Sequence, residues 1–312
     1  MRAARLHAPG DLRVEEVPDP TASAGQVLVR VEACGVCPTD VRKYVLGTAD
    51  GYPLNPGHEW VGRIEAIGSG VTGWEPGQRV YGDTYAGYAE LAVLGVEPGP
   101  WSHGPLVLPE SLAVERAVFI EPLADCLHAV IDQGRVAPGD RVVIVGGGQM
   151  GLQLVLAASL QGARVTLIEP LDQRRALGSE LGAHDAARDL AEVEGDADVV
   201  ILSVGVAELV EPCIALAAPG GRVVLFAGFG DASRAELDLD RLHYREIALV
   251  GSEWIGTPPN QRREHYSAAR DLLVSGRAPL EQLITRHCSL DDLEDAFADV
   301  RAHRGLKAVV VP

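Results

Sequence analysis

Arg141–Val145 (RVVIV), followed at once by Gly146–Gly151 (GGGQMG), is the stretch that decides the fold. Four of its first five residues are Val or Ile, with no polar alternation. Such a run reads as a strand covered on both faces. The glycines fall as G-x-G-x-x-G on Gly146, Gly148 and Gly151, with Gln149 and Met150 inside the motif. Gly146 permits the tight turn, Gly148 lets backbone approach a pyrophosphate, and Gly151 allows close packing of helix on strand. The apolar sequence from Gly151 to about Gly162 is the helix whose N-terminus favours the anion.

Outward from this motif, Arg164–Ile168 (RVTLI), Asp198–Ser203 (DVVILS), Arg222–Ala227 (RVVLFA) and Ile247–Gly251 read as further buried strands. Asp172–Leu181 reads as a helix between two of them. Strands alternating with helices predict a parallel, doubly wound α/β sheet. Glu169 ends the second strand, 23 residues after Gly146. That is the place of the acid that binds the adenosine ribose, so NAD is expected over NADP. Arg174, which can lie against adenine, and Arg175 keep NADP open. A solvated helix face is the alternative for Arg175. The turns holding Val204, Gly205 and Gly228 are expected near the nicotinamide half.

Before residue 115 the pattern differs. Gln26–Ala33, Trp60–Ile67, Arg79–Gly82 and Gly87–Leu94 are short strands broken by Pro and Gly, which predicts a small β-rich domain or barrel. Leu112–Gly134 has helical composition, as do Glu264–Ser275 and Leu290–Val300, and Ala308–Val311 is apolar. There is no internal repeat and no low-complexity segment.

The chain has 312 residues, room for two domains of about 150. Net charge is −17, which argues against a nucleic-acid or anionic-membrane partner. Of 27 basic residues only Lys43 and Lys307 are lysines. The start, MRAARLHAPGDLRVEE, has no apolar core of a signal peptide, and no run approaches the ~18 apolar residues of a membrane span, so a cytoplasmic protein is expected. Five cysteines, Cys34, Cys37, Cys126, Cys213 and Cys288, are too few and too scattered for a disulfide framework.

Two N-terminal motifs carry chemistry: C-G-V-C-P-T-D (Cys34–Asp40) and P-G-H-E-W (Pro56–Trp60), with I-E-P-L-A-D (Ile120–Asp125) later. Thiolate, imidazole and carboxylate suit Zn²⁺. Together with G-x-G-x-x-G, these motifs resemble the zinc-dependent medium-chain dehydrogenase/reductase family over nearly the whole chain, and Glu121–Ala129 resembles its sorbitol/threonine dehydrogenase branch. The resemblance implies a GroES-like catalytic domain of residues 1–120 and 254–312 and a Rossmann domain of residues 121–253. It implies Cys37 and His58 as zinc ligands, Glu59 as a ligand or an adjacent carboxylate, and Glu121 bound to zinc directly or through water. Thr39 would hydrogen-bond the substrate hydroxyl, and Asp40 would orient His58. A homodimer or homotetramer, paired along Ile247–Gly251, is implied too.

Two departures from the family follow. Many members relay a proton through a histidine five positions after the ligand cysteine, but here that residue is Arg42, which stays protonated. The segment GQRVYGDTYAGYAEL has no cysteine where the family places a four-cysteine zinc lobe, so one catalytic zinc and no structural zinc is expected, with Gly82–Tyr88 held by packing. Cys34, Cys126, Cys213 and Cys288 read as packed, and His128 as a packed or cofactor-side residue. His103, His184, His265 and His303 read as incidental residues of loops or exposed helices. The expected function is NAD-linked oxidation of a secondary alcohol (polyol, sugar or cyclitol). A threonine-type amino-alcohol dehydrogenase, a zinc-free NADPH quinone or enoyl reductase, and a non-catalytic nucleotide sensor are the alternatives.

Overall fold

The structure, a computed structural model, describes residues 1–49, 51–99, 102–230, 233–254 and 257–312. In chain order the first part runs β1 (Arg2–Ala8), β2 (Asp11–Glu16), β3 (Gln26–Gly35), α1 (Pro38–Leu46), β4 (Glu59–Ile67), β5 (Arg79–Gly82), β6 (Leu91–Gly95), β7 (Leu106–Val107), α2 (Val114–Ala117) and α3 (Ile120–His128). The middle runs β8 (Arg141–Val145), α4 (Gln149–Leu160), β9 (Arg164–Ile168), α5 (Asp172–Glu180), β10 (Asp185–Ala187), β11 (Ala197–Leu202), α6 (Val210–Leu216), β12 (Ala217–Leu225), α7 (Leu239–Tyr244) and β13 (Ala248–Gly251). The last part has α8 (Pro259–Val274), β14 (Ile284–Cys288), α9 (Leu293–Arg301) and β15 (Lys307–Val310).

The chain divides into two compact units, one of residues 1–121 and 258–312, the other of residues 122–257. The second unit is a six-stranded parallel sheet in the order β10-β9-β8-β11-β12-β13. Renumbered from β8, that order is 3-2-1-4-5-6, the Rossmann doubly wound arrangement with its switch point between β8 and β11. The buried pattern of β8 and β11 is why their sequences lack polar alternation. β13 forms one edge.

The first unit is built on a mixed sheet in the order β14-β15-β3-β4-β5-β7, with β6 also paired to β3. This is the GroES-like fold. Its core is aliphatic, with Trp60, Tyr88 and Phe297 as the large side chains. The segment between β5 and β6 is fastened by Trp60, whose indole N–H donates to the Thr84 carbonyl at 2.7 Å. Gly82 and Gly87 lie flat on that indole; a methyl on either would overlap it.

Several boundaries differ from expectation. The strand expected over Gly87–Leu94 is β6, which starts at Leu91, and β12 starts at Ala217, ahead of Arg222. α8 starts at Pro259 instead of Glu264, because proline is at home in a first helical turn. Leu112–Gly134 is not one helix: α2 and α3 are separate, and α3 runs into a π-helical turn over Ala129–Gln133.

Candidate metal centre and nucleotide turn

The metal motifs meet because β3 and β4 are antiparallel neighbours with Gly35 opposite Glu59. Two residues beyond Gly35, Cys37 caps the N-terminus of α1, and its Sγ accepts the Thr39 N–H at 3.5 Å. His58 and Glu59 open β4 across the sheet. One donor atom each of Cys37, His58 and Glu59 lies within 4.8 Å of the other two.

Asp40 anchors the imidazole. It is 1% exposed, and its carboxylate lies 3.3 Å from His58 Nδ1. The same carboxylate accepts the Gly57 N–H at 3.2 Å and the Tyr88 hydroxyl at 3.0 Å. Burial would raise the Asp40 carboxyl, but His58 and these two donors hold it below its ordinary value. Burial would lower His58, yet Asp40 and Cys37 carry it well above its ordinary value. Burial pushes the Cys37 thiol up to about 11. An imidazole engaged at Nδ1 keeps Nε2 for a metal.

Glu59 is fully buried, and its Oε2 is paired with the ammonium of Lys307, itself fully buried. Oε1 has no hydrogen-bond partner among the described residues. Lys307 opens β15, whose Val309 pairs with Gly35 of β3. A Cβ at Gly35 would overlap Glu59 Oε2 and stand 2.9 Å from Lys307 Nζ, so only glycine leaves room for the pair. Sequence reading missed Lys307. The signal available was its rarity, one of two lysines, at the head of an otherwise apolar strand. Glu59, a buried carboxylate with one oxygen unpartnered, groups with a thiol and an imidazole, and that donor set fits a zinc ion.

Glu121, in the first turn of α3, is half-buried and is not in the mutually close trio. Burial raises its carboxyl, helped by Glu59 and Asp83, while His58 and Lys307 pull it down. Thr39 is exposed on the first turn of α1. Cys34, Cys126, Cys213 and Cys288 are buried, as expected.

Two histidines correct the sequence reading. His103 and His265, expected to be incidental, are buried. His103 is 0% exposed, neither ring nitrogen has a hydrogen-bond partner among the described residues, and its ring centre is 4.0 Å from that of Tyr266. His128 is packed, with Nδ1 2.8 Å from Asp132 and its ring stacked on Trp254 at 4.7 Å.

In the second unit, β8 ends at Val145 and Gly146 takes φ +103°, a conformation that disfavours other residues. A Cβ on Gly151 would overlap the Gly146 carbonyl, whereas one on Gly148 would meet nothing within 4 Å. Gln149 and Met150 begin α4. Glu169 is 5% exposed; Oε2 accepts the Gly147 N–H at 2.7 Å and Oε1 the Leu171 N–H at 2.9 Å. The acid therefore ties the glycine turn to the end of β9. Arg175 is not a merely solvated residue. It donates to the carbonyls of Glu169 and Pro170, at 2.6 and 2.8 Å, and pairs with Asp172. Arg174 is half-buried on the same helix. Gly205 and Gly228 touch, since a Cβ on Gly205 would overlap the Gly228 carbonyl, and Val204 packs on Gly146.

A GroES-like unit with a thiol–imidazole–carboxylate trio and a Rossmann unit with a dinucleotide turn define an oxidoreductase class. The chain belongs to the zinc-type medium-chain dehydrogenase/reductase family: residues 23–108 match the alcohol dehydrogenase GroES-like domain and residues 148–275 the zinc-binding dehydrogenase family. It is 31% identical to a Mycobacterium tuberculosis protein named as a probable alcohol dehydrogenase, covering 97% of this chain and 95% of that one. It is 26% identical to (R,R)-butanediol dehydrogenase of Bacillus subtilis, over 100% of both chains. Among solved structures it resembles a zinc-binding dehydrogenase from Sinorhizobium meliloti 1021 bound to NADP, with a TM-score of 0.89, 29% identity, and coverage of 100% and 99%. Other relatives are named as sorbitol dehydrogenases, and membership of this family makes the chain an oxidoreductase.

Proposed function

We propose that this protein is a zinc-dependent, NAD-linked dehydrogenase that oxidises a polyol, sugar or cyclitol to a ketone. The observation that supports it is the trio of Cys37, His58 and Glu59 with an unpartnered carboxylate oxygen. In this reading Cys37, His58 and Glu59 hold zinc, Asp40 fixes the imidazole, and Glu121 stands beside the metal. Zinc, when bound, supplies a Lewis acid that makes an alcohol proton easier to remove. NAD, when bound, supplies the hydride acceptor. Thr39 accepts the hydrogen bond of the substrate hydroxyl and passes its proton outward. Arg42 cannot carry that proton further.

Gly146, Gly148 and Gly151 seat the pyrophosphate, and Glu169 receives the adenosine ribose in place of the Gly147 N–H. Val204, Gly205 and Gly228 border the nicotinamide. NADP is the second reading, favoured by the NADP-bound relative. A threonine-type substrate is kept as the rival within the same chemistry. Retention of all the metal donors argues against a zinc-free quinone reductase or a mere nucleotide sensor.

The test is metal analysis joined to a screen of polyols, cyclitols, sugars and amino alcohols with NAD and NADP, with and without chelator. About one zinc per chain and chelator-sensitive NAD reduction are expected. A metal-free protein that reduces quinones with NADPH would overturn the reading. A second copy pairing along the β13 edge belongs to the same proposal, and light scattering of a species near 33.1 kDa would remove it.

A further inference from the structure

We propose that Lys307 is a positioning residue of the metal centre: by holding one oxygen of Glu59, it keeps that carboxylate a one-oxygen ligand and preserves an open coordination position. The inference rests on the zinc reading above and concerns what this chain adds to it.

The ion pair is sealed. Neither side chain is exposed, and Lys307 Nζ also lies 3.4 Å from the Val36 carbonyl and 5.7 Å from the centre of the Phe119 ring. The stem of Lys307 starts from β15, bonded between β14 and β3, and its ammonium end is fully buried. Gly35 leaves the pair its space from the other side. The outcome is an asymmetric carboxylate: Oε2 is taken, Oε1 is unpartnered among the described residues, and one oxygen of the carboxylate lies within 4.8 Å of the Cys37 and His58 donors.

The choice of base matters. An ammonium is a compact point charge, whereas a guanidinium is a fork that engages both oxygens of a carboxylate. With 25 of 27 basic residues arginine (27 less the two lysines), arginine is this chain's ordinary base. At the one position where a fork would withdraw Glu59 from the metal, the chain carries lysine.

Without the ammonium, Glu59 in the metal-free protein is a buried charge with no partner, which is costly. Zinc then becomes its only counter-charge, and both oxygens are free to bind. Removing a cation from beside a dication adds attraction of the same sign. Lys307→Met is therefore expected to bind zinc about tenfold more tightly or better, with a larger thermal shift on adding zinc. The cobalt-substituted protein should show an altered visible spectrum, and kcat should fall with KM for NAD unchanged. A Lys307 that merely supports the fold predicts weaker zinc binding and an unaltered cobalt spectrum, and that result overturns the proposal.

Glu59→Gln and the double variant Glu59→Gln/Lys307→Met keep the test decisive where the single lysine variant fails to fold, since the double variant buries no unpaired charge. These two are expected to give the same cobalt spectrum, with zinc held somewhat more tightly by the double variant because the ammonium beside the dication is gone; a spectral difference between them would show that Lys307 acts other than through Glu59, and would overturn the proposal. Wild-type protein that takes up no zinc at all would refute the zinc reading itself, and is told apart by that first titration.

Discussion

His103 brings a polar ring to a place where no described residue hydrogen-bonds it. The nearest acid is Asp83, 3.6 Å from Nε2, and Asp83 is already served by the Ser102 hydroxyl at 2.7 Å and the His103 backbone N–H at 3.0 Å. Both donors survive replacement of the side chain. His103→Phe should therefore be neutral or stabilise by about 1 kcal/mol, read from urea unfolding. Burial lowers the pKa of His103 in the folded state, with Arg263 acting in the same direction against Asp83. The unfolded chain thus binds the proton first, and wild type should lose stability as pH falls below about 6.5. His103→Phe should lose less over that range; a variant that tracks wild type would contradict this account. At this scale the sequence was uneven as a guide. Cys37, Asp40, His58 and Glu59 were legible because two short motifs fall on the facing ends of neighbouring strands. Lys307 was not, because its partner lies 248 residues away and no local period encodes that distance.

Elements with a strong local signature were the most legible. Apolar runs without alternation became the parallel strands β8, β9 and β11, and the glycines between β8 and α4 have the separate steric roles their spacing implies. Those roles can be pulled apart. A methyl on Gly151 collides with backbone, so Gly151→Ala should push α4 off β8, cost about 1–3 kcal/mol, and abolish nucleotide binding. A methyl on Gly148 meets nothing, and its φ of −69° suits any residue. Gly148→Ala should therefore melt close to wild type yet bind NAD more weakly. Thermal melts paired with calorimetric titration separate the two, and equal behaviour of both variants would refute the division. Less legible were the break between α2 and α3 and the π-helical turn after α3, where composition is helical throughout and only tertiary packing sets the interruption.

For the whole molecule, the two units differ in how they draw on the chain. The nucleotide unit is one continuous stretch, residues 122–257, while the metal unit joins residues 1–121 to 258–312. β15 is an interior strand of the metal unit's sheet, not an edge. A variant lacking residues 307–312 should lose zinc binding while retaining NAD binding, measured by metal analysis and fluorescence titration; undiminished zinc content would show that the trio stands without its last strand.

The interior place of β15 also sets an order in time. Cys37, His58 and Glu59 are synthesised early, but Lys307 follows Glu59 by 248 residues, roughly 10–50 s later at ordinary translation rates. Throughout that interval the nascent chain carries a thiol, an imidazole and a carboxylate whose sheet is unfinished and whose countercharge does not yet exist. The nucleotide unit is fully made before the metal unit can close. If the trio holds zinc as proposed, choice of that metal falls to the finished chain, and slow release from the ribosome would leave Cys37 open to oxidation in the meantime.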